Sequence, residues 1–163
     1  FEVMYQMFEE PTFNTLRTKE TLGYIASFYK YIIRDVAGGI VLVQSNQKDS
    51  QLIIWIINAF INEVMKPTFD EMSVEQLTTS MNAVLVSKKE KDVSLKVKFA
   101  KYQIELFSHW YLFNRGEVES KLLEDWLALE NKSEIIEKLK KLFYETYIEN
   151  RWILSVEYTA KVH

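Results

Sequence analysis

Residues 10–24 read Glu10-Pro11-Thr12-Phe13-Asn14-Thr15-Leu16-Arg17-Thr18-Lys19-Glu20-Thr21-Leu22-Gly23-Tyr24, and the rest of the chain is placed around them. Proline is tolerated in the first turn of a helix, so a short helix is expected to start at Pro11 or Thr12. It runs to Leu22 and stops at Gly23, the usual residue for a left-handed C-terminal cap. The helix carries Arg17, a rigid fork of five donors. It delivers Tyr24, one phenolic donor on a stiff ring, to the first position of a strand. On spacing alone the plainer assignment is preferred, with Arg17 paired to a nearby Glu and Tyr24 capping the core.

Upstream, residues 2–9 set Val3, Met4, Met7 and Phe8 on one helical face, with Pro11 as the interruption. Downstream, residues 24–34 are rich in Tyr, Phe and Ile, which favours a strand. Gly38-Gly39 signals a turn, and residues 40–44 return as an antiparallel partner. Residues 48–65 form a helix that is apolar almost all round, expected to be buried and to end at Pro67. Ser73 and Gln76 form a capping box opening a helix with Val74, Leu77, Met81, Val84 and Leu85 inward. A break over residues 88–92 precedes a helix over 94–113, with Val97, Ala100, Ile104, Phe107 and Trp110 inward. Arg115-Gly116 closes that helix. Helices follow over 117–129 and 133–149, the second started by a capping-box-like Asn131 to Glu134. Residues 152–158 alternate at period two and make a last strand. The order predicts an α+β two-layer domain, an antiparallel sheet covered on one face by helices. A single domain over residues 1–163 is expected. Phe1 to Tyr5 read as mid-helix, so the domain is expected to be N-terminally truncated, with preceding strands completing the sheet.

Composition narrows the chemistry. The chain has 163 residues, 48% hydrophobic and 14% aromatic, which is enough for a sizeable core. The net charge of −3 gives no basic excess for nucleic acid. Cysteine is absent, which removes disulfides and thiol chemistry and fits a reducing, cytoplasmic setting. The apolar stretch 52–61 contains Asn58 and is followed by Asn62 and Glu63, so no membrane span is expected. A hydrolytic zinc site needs three ligands and an open position. The two histidines, His109 and His163, sit in no zinc motif, so no metal site is expected in this chain. Nucleophilic triads have no support. Glu9, Glu10, Glu117, Glu119, Glu124, Asp125 and the lysines Lys138, Lys140 and Lys141 read as solvated helix faces.

The wording of residues 10–24 closely resembles the signature of the last domain of the insulysin (insulin-degrading enzyme), nardilysin and pitrilysin family of inverzincin metalloendopeptidases. The likeness continues through Gln44-Ser45, the helix led by Ser73, Ala100-Lys101-Tyr102 and the strand at 152–158. The resemblance implies a metallohydrolase-like repeat of the insulysin and mitochondrial processing peptidase type. It implies a clamshell of homologous domains whose first carries the zinc motif His-x-x-Glu-His, so zinc belongs to the parent's N-terminal domain. The last domain has lost that motif and takes part in substrate binding. By this match Arg17 would hydrogen-bond the substrate backbone beside the scissile bond. Tyr24 would donate to the scissile carbonyl, giving transition-state assistance without making this chain catalytic. The implied partners are a peptide substrate, the N-terminal catalytic half of the same polypeptide, and a second copy in a homodimer. The stretch after Tyr24 departs from the family's basic, Gly-containing loop: Phe28, Tyr29 and Tyr31 either line the chamber or, the preferred reading, pack in the hairpin core. The alternative function is a non-proteolytic assembly module of the same fold, as in core subunits of respiratory complexes.

Overall fold

The computed structural model describes residues 1–33, 36–149 and 156. Helix α1 spans Glu2–Thr12 and buries Val3, Met4 and Phe8, the stripe its sequence presents. Pro11 lies inside it and does not interrupt it. Proline has no N–H and crowds the carbonyl four residues back. Just beyond it the chain runs straight on as a wider, π-helical segment, Phe13–Lys19, seated by the fully buried Leu16. The expected second helix is therefore the continuation of the first.

Gly23 is not a left-handed cap. The positive φ falls two residues earlier, at Thr21 (49°). Glycine is required at 23 because a Cβ there would strike the backbone of Gln44 and Ser45.

Strands β1 (Ile25–Ile33) and β2 (Val36–Gln44) pair antiparallel, in register from Ile25↔Gln44 to Ile33↔Val36. Gly38-Gly39 is thus not the turn; it lies within β2, opposite Tyr31 and Lys30. A Cβ on Gly39 would meet the Phe28 ring at 2.5 Å and the Tyr147 hydroxyl at 2.8 Å. The glycine makes room for rings crossing the sheet. One sheet face, with buried Ala26 and Phe28 and half-buried Val41 and Val43, packs on the helical layer.

The next helical run is continuous over Ser50–Asp70 and is long and apolar enough to cross a membrane by length and composition. It comprises α2 (Ser50–Phe60), a π-helical stretch Ile61–Met65 and α3 (Lys66–Asp70). Pro67 falls in the first turn of α3, where proline is tolerated, so it does not end the run. The helix is seated on one side only, through Ile56, Phe60, Met65 and Phe69, whereas Trp55 is exposed. Uniform apolar composition did not mean uniform burial.

The capping box forms as read: Ser73 Oγ accepts from Gln76 N at 3.1 Å and Gln76 Oε1 accepts from Ser73 N at 2.9 Å. It opens α4 (Val74–Lys89), which buries Leu77, Met81 and Val84, while Val74 is exposed. At its end Lys88 lies in α4 rather than in a loop and bridges Glu2 of α1 and Glu119. Helices α5 (Leu95–Phe107), α6 (Arg115–Ala128) and α7 (Ser133–Phe143) follow, then a π-helical segment Tyr144–Glu149. Arg115 and Gly116 open α6 instead of closing α5. The α7 N-terminus has no capping box; Asn131 Oδ1 accepts from Ser133 N instead (2.9 Å). The strand read over 152–158 lies outside the described residues apart from Val156.

The core is aromatic at its centre. Phe69 and Phe143 stack at 4.5 Å and 2°, with Phe8 within 5.1 and 5.8 Å of them. Tyr147 stacks on Phe143 at 5.5 Å, and burial pushes its phenol up to about 12. Three elements remote in sequence, α1, α3 and α7, are thereby locked behind the hairpin. The domain is α+β, helix-rich, with an antiparallel sheet covered on one face.

Candidate functional site

The shoulder between α1 and β1 positions the site. Its floor is rigid: Leu16 and Leu22 are fully buried, and Leu22 N donates to Leu16 O at 3.1 Å. Glu20 N donates to Thr15 O (2.9 Å), five residues back, which keeps the wide turn of the π segment. Such segments recur at functional sites. Thr21 then adopts a backbone conformation uncommon for a β-branched residue. Buried Leu22 and close-packed Gly23 on its C-terminal side hold it there.

Arg17 emerges from this floor between two rings. Its guanidinium carbon lies 4.8 Å from the Phe13 centroid and 5.1 Å from the Tyr24 centroid. Both are within cation–π range. Tyr24 is 82% exposed and Phe13 44%. The plainer assignment is overturned: Tyr24 does not cap the core, and among the described residues no carboxylate pairs with Arg17. The half-buried fork is held by ring faces, which leave its in-plane donors unused. Phe13 was missed by sequence reasoning. Its spacing from Arg17, four residues on a helix face, was the signal that could have found it.

A second aromatic corner lies at the α5–α6 junction. Helix α5 does not turn Ile104 and Phe107 inward as read; both are exposed, Phe107 at 77%, and Glu105 is the buried residue. Its carboxylate accepts from Leu112 N (3.0 Å) and Arg115 Nη2 (3.1 Å), and Arg115 Nε completes the pair. Arg115 holds the Glu105 carboxyl below its ordinary value; burial opposes this and the Leu112 N–H assists. Arg115 also lies over Trp110 at 4.7 Å. His109 is exposed, just past α5, with Nδ1 3.0 Å from the Tyr111 hydroxyl. Among the described residues no group of three or more His, Asp or Glu side chains converges as metal ligands. The described residues do not fit a zinc ion.

Residues 3–103 match the family model described as PQQ synthase PqqF-like, C-terminal lobe domain 4. The chain belongs to the insulysin and pitrilysin family. The insulin-degrading enzyme of Bos taurus is 31% identical over 118 residues, 72% of this chain and 11% of that protein. The insulin-degrading enzyme of Drosophila melanogaster is 28% identical over 156 residues, 96% of this chain and 15% of that protein. The crystal structure of pitrilysin superposes with a TM-score of 0.64 at 19% identity, over 90% of this chain and 15% of that one. The insulysin-family domain thus spans only 11–15% of the length of these relatives. The matched stretch 3–103 contains the Arg17 shoulder and the hairpin.

Proposed function

We propose that this domain is the zinc-free, substrate-binding wall of an insulysin-like zinc metalloendopeptidase that degrades short peptides. Zinc is placed in the N-terminal half of the same polypeptide. The observation that carries the reading is the Phe13–Arg17–Tyr24 sandwich, a half-buried cation with no carboxylate partner among the described residues beside an exposed phenol. A peptide backbone offers carbonyl acceptors to both groups. Arg17 holds a carbonyl next to the scissile bond. Tyr24 O–H donates to the scissile carbonyl oxygen as negative charge develops there, and preorganised donors of this kind act mainly in the transition state. Because the rings fix Arg17 beforehand, little side-chain entropy is lost on binding.

The test is Tyr24→Phe in the full-length enzyme. Turnover falls about 10²–10³-fold, the usual cost of removing one oxyanion donor, while bound zinc measured by atomic absorption is unchanged. Normal turnover would remove Tyr24 from the mechanism.

A second reading, a non-proteolytic assembly module of the same fold, is favoured by one observation. Val93, Leu95, Phe99 and Phe107 on and around α5 are exposed and apolar, as an assembly surface would be. Peptidase activity of the full-length protein decides between the two.

A further inference from the structure

The hairpin has an outer face that the helical layer leaves open. From β1 it presents Ile25, Ser27, Tyr29 and Tyr31; from β2, Gln44, Leu42, Ile40 and Gly38, paired in that order. Tyr29, Tyr31, Ile40 and Leu42 are each 40–46% exposed. The core takes the opposite face, through Ala26 and Phe28. The preferred sequence reading thus holds for Phe28 and fails for Tyr29 and Tyr31. No residue of the open strip carries a charge, although 26% of the chain is charged.

We infer that this strip selects substrate: it receives the apolar and aromatic side chains of an extended peptide whose scissile bond lies at Arg17 and Tyr24. The inference rests on the proposed peptide-binding role of that pair. Continuity supports it, because β1 starts at Ile25, the residue after Tyr24. The strip therefore begins one residue from Tyr24 along the chain. Size supports it as well. At about 3.3 Å per residue and 4.8 Å between strands, the strip is roughly 20 Å by 10 Å. That is about six residues of extended peptide. It is far below the ~800 Å² per partner of a stable protein interface. Composition agrees: tyrosines give a rigid apolar body with a hydroxyl at its tip, a combination enriched at recognition surfaces. An uncharged strip leaves an acidic or basic peptide side chain without a counter-charge, so discrimination is against charge.

The test uses the full-length enzyme and two synthetic peptides identical around the scissile bond. One carries Phe and Leu in the flanking six residues; the other carries Glu at the same places. Tyr29→Ser/Tyr31→Ser lowers kcat/KM for the apolar peptide about 10-fold or more, through KM, and leaves the acidic peptide unchanged. Leu42→Lys, a single change at a position 46% exposed, shifts the preference several-fold toward the acidic peptide. An unchanged preference in both variants overturns the inference. So does a lowered melting temperature or a lost dimer without a change of preference, which would show the face covered by the rest of the polypeptide or by a second copy. Tyr24→Phe run alongside keeps the two readings apart: it lowers kcat on both peptides. If it is silent while the strip variants still shift preference, the Tyr24 role fails and the strip stands.

Discussion

Arg17 and Arg115 are the two arginines the structure describes, and both lie over aromatic rings beside a turn with positive φ. Their neighbours set them to opposite work. Arg115 meets a buried carboxylate, Glu105, that takes two of its nitrogens and a backbone N–H besides. Two of its nitrogens are engaged within the domain, and the pair ties the end of α5 to the start of α6. Arg17 meets Phe13 and Tyr24 but, among the described residues, no carboxylate. Ring faces orient a guanidinium without using its in-plane donors. An arginine stacked and unpaired is therefore available to a ligand, whereas one stacked and paired is structural.

The largest effect expected on this contrast comes from Gly23→Ala. The new methyl runs into the backbone of Gln44 and Ser45, which no side-chain rotation relieves. Overpacking of this kind costs about 3 kcal/mol. Urea unfolding should show the loss. Because the same turn sets Tyr24, peptide turnover in the full-length enzyme should fall as well. Gly116→Ala, on the Arg115 side, has open space around its Cβ and should do neither.

Glu105→Gln comes next, at about 2 kcal/mol, the scale of a hydrogen bond to a charged group. The effect should depend on pH. Arg115 holds the folded-state carboxyl below its ordinary 4.5. A depressed folded pKa contributes stability that is present above the unfolded value and lost as pH falls through the folded one. The gap between wild type and Glu105→Gln should thus be full at pH 7 and shrink below about pH 4.5. A gap independent of pH from 7 to 3 would show that the pair does not titrate as described.

What the sequence alone disclosed was local. The stripe Val3, Met4 and Phe8, and the reciprocal cap of Ser73 and Gln76, depend on residues within a turn or two of one another, and both read correctly. Gly38-Gly39 misread as a turn because the rings of Phe28 and Tyr147, which require Gly39, arrive from β1 and from the far end of the chain. The α5 stripe misread because Glu105 is buried for a partner ten residues on, and hydrophobic periodicity does not register a buried charge. At the candidate site, Arg17 and Tyr24 were picked out by their wording in residues 10–24, not by spacing, which favoured an ordinary ion pair. Their stacking, and the part of Phe13, needed the fold.

The smallest effect sharpens the contrast most. Arg17→Ala removes two cation–π contacts at a half-buried site, each worth about 0.5–1 kcal/mol before the flexibility regained by the freed side chain is subtracted. The net loss of folding stability should stay below about 1 kcal/mol, because Leu16, Leu22 and Gly23 hold the shoulder without it. Arg115→Ala should cost more, since it strands the Glu105 carboxylate in a buried place. Activity should rank the other way, with Arg17→Ala lowering kcat/KM of the full-length enzyme about 10–100-fold through a lost charged hydrogen bond and Arg115→Ala leaving it nearly unchanged below its melting temperature. Equal stability losses in the two variants would mean that Arg17 is a structural residue like Arg115, and that the open fork beside Tyr24 has no peptide to hold.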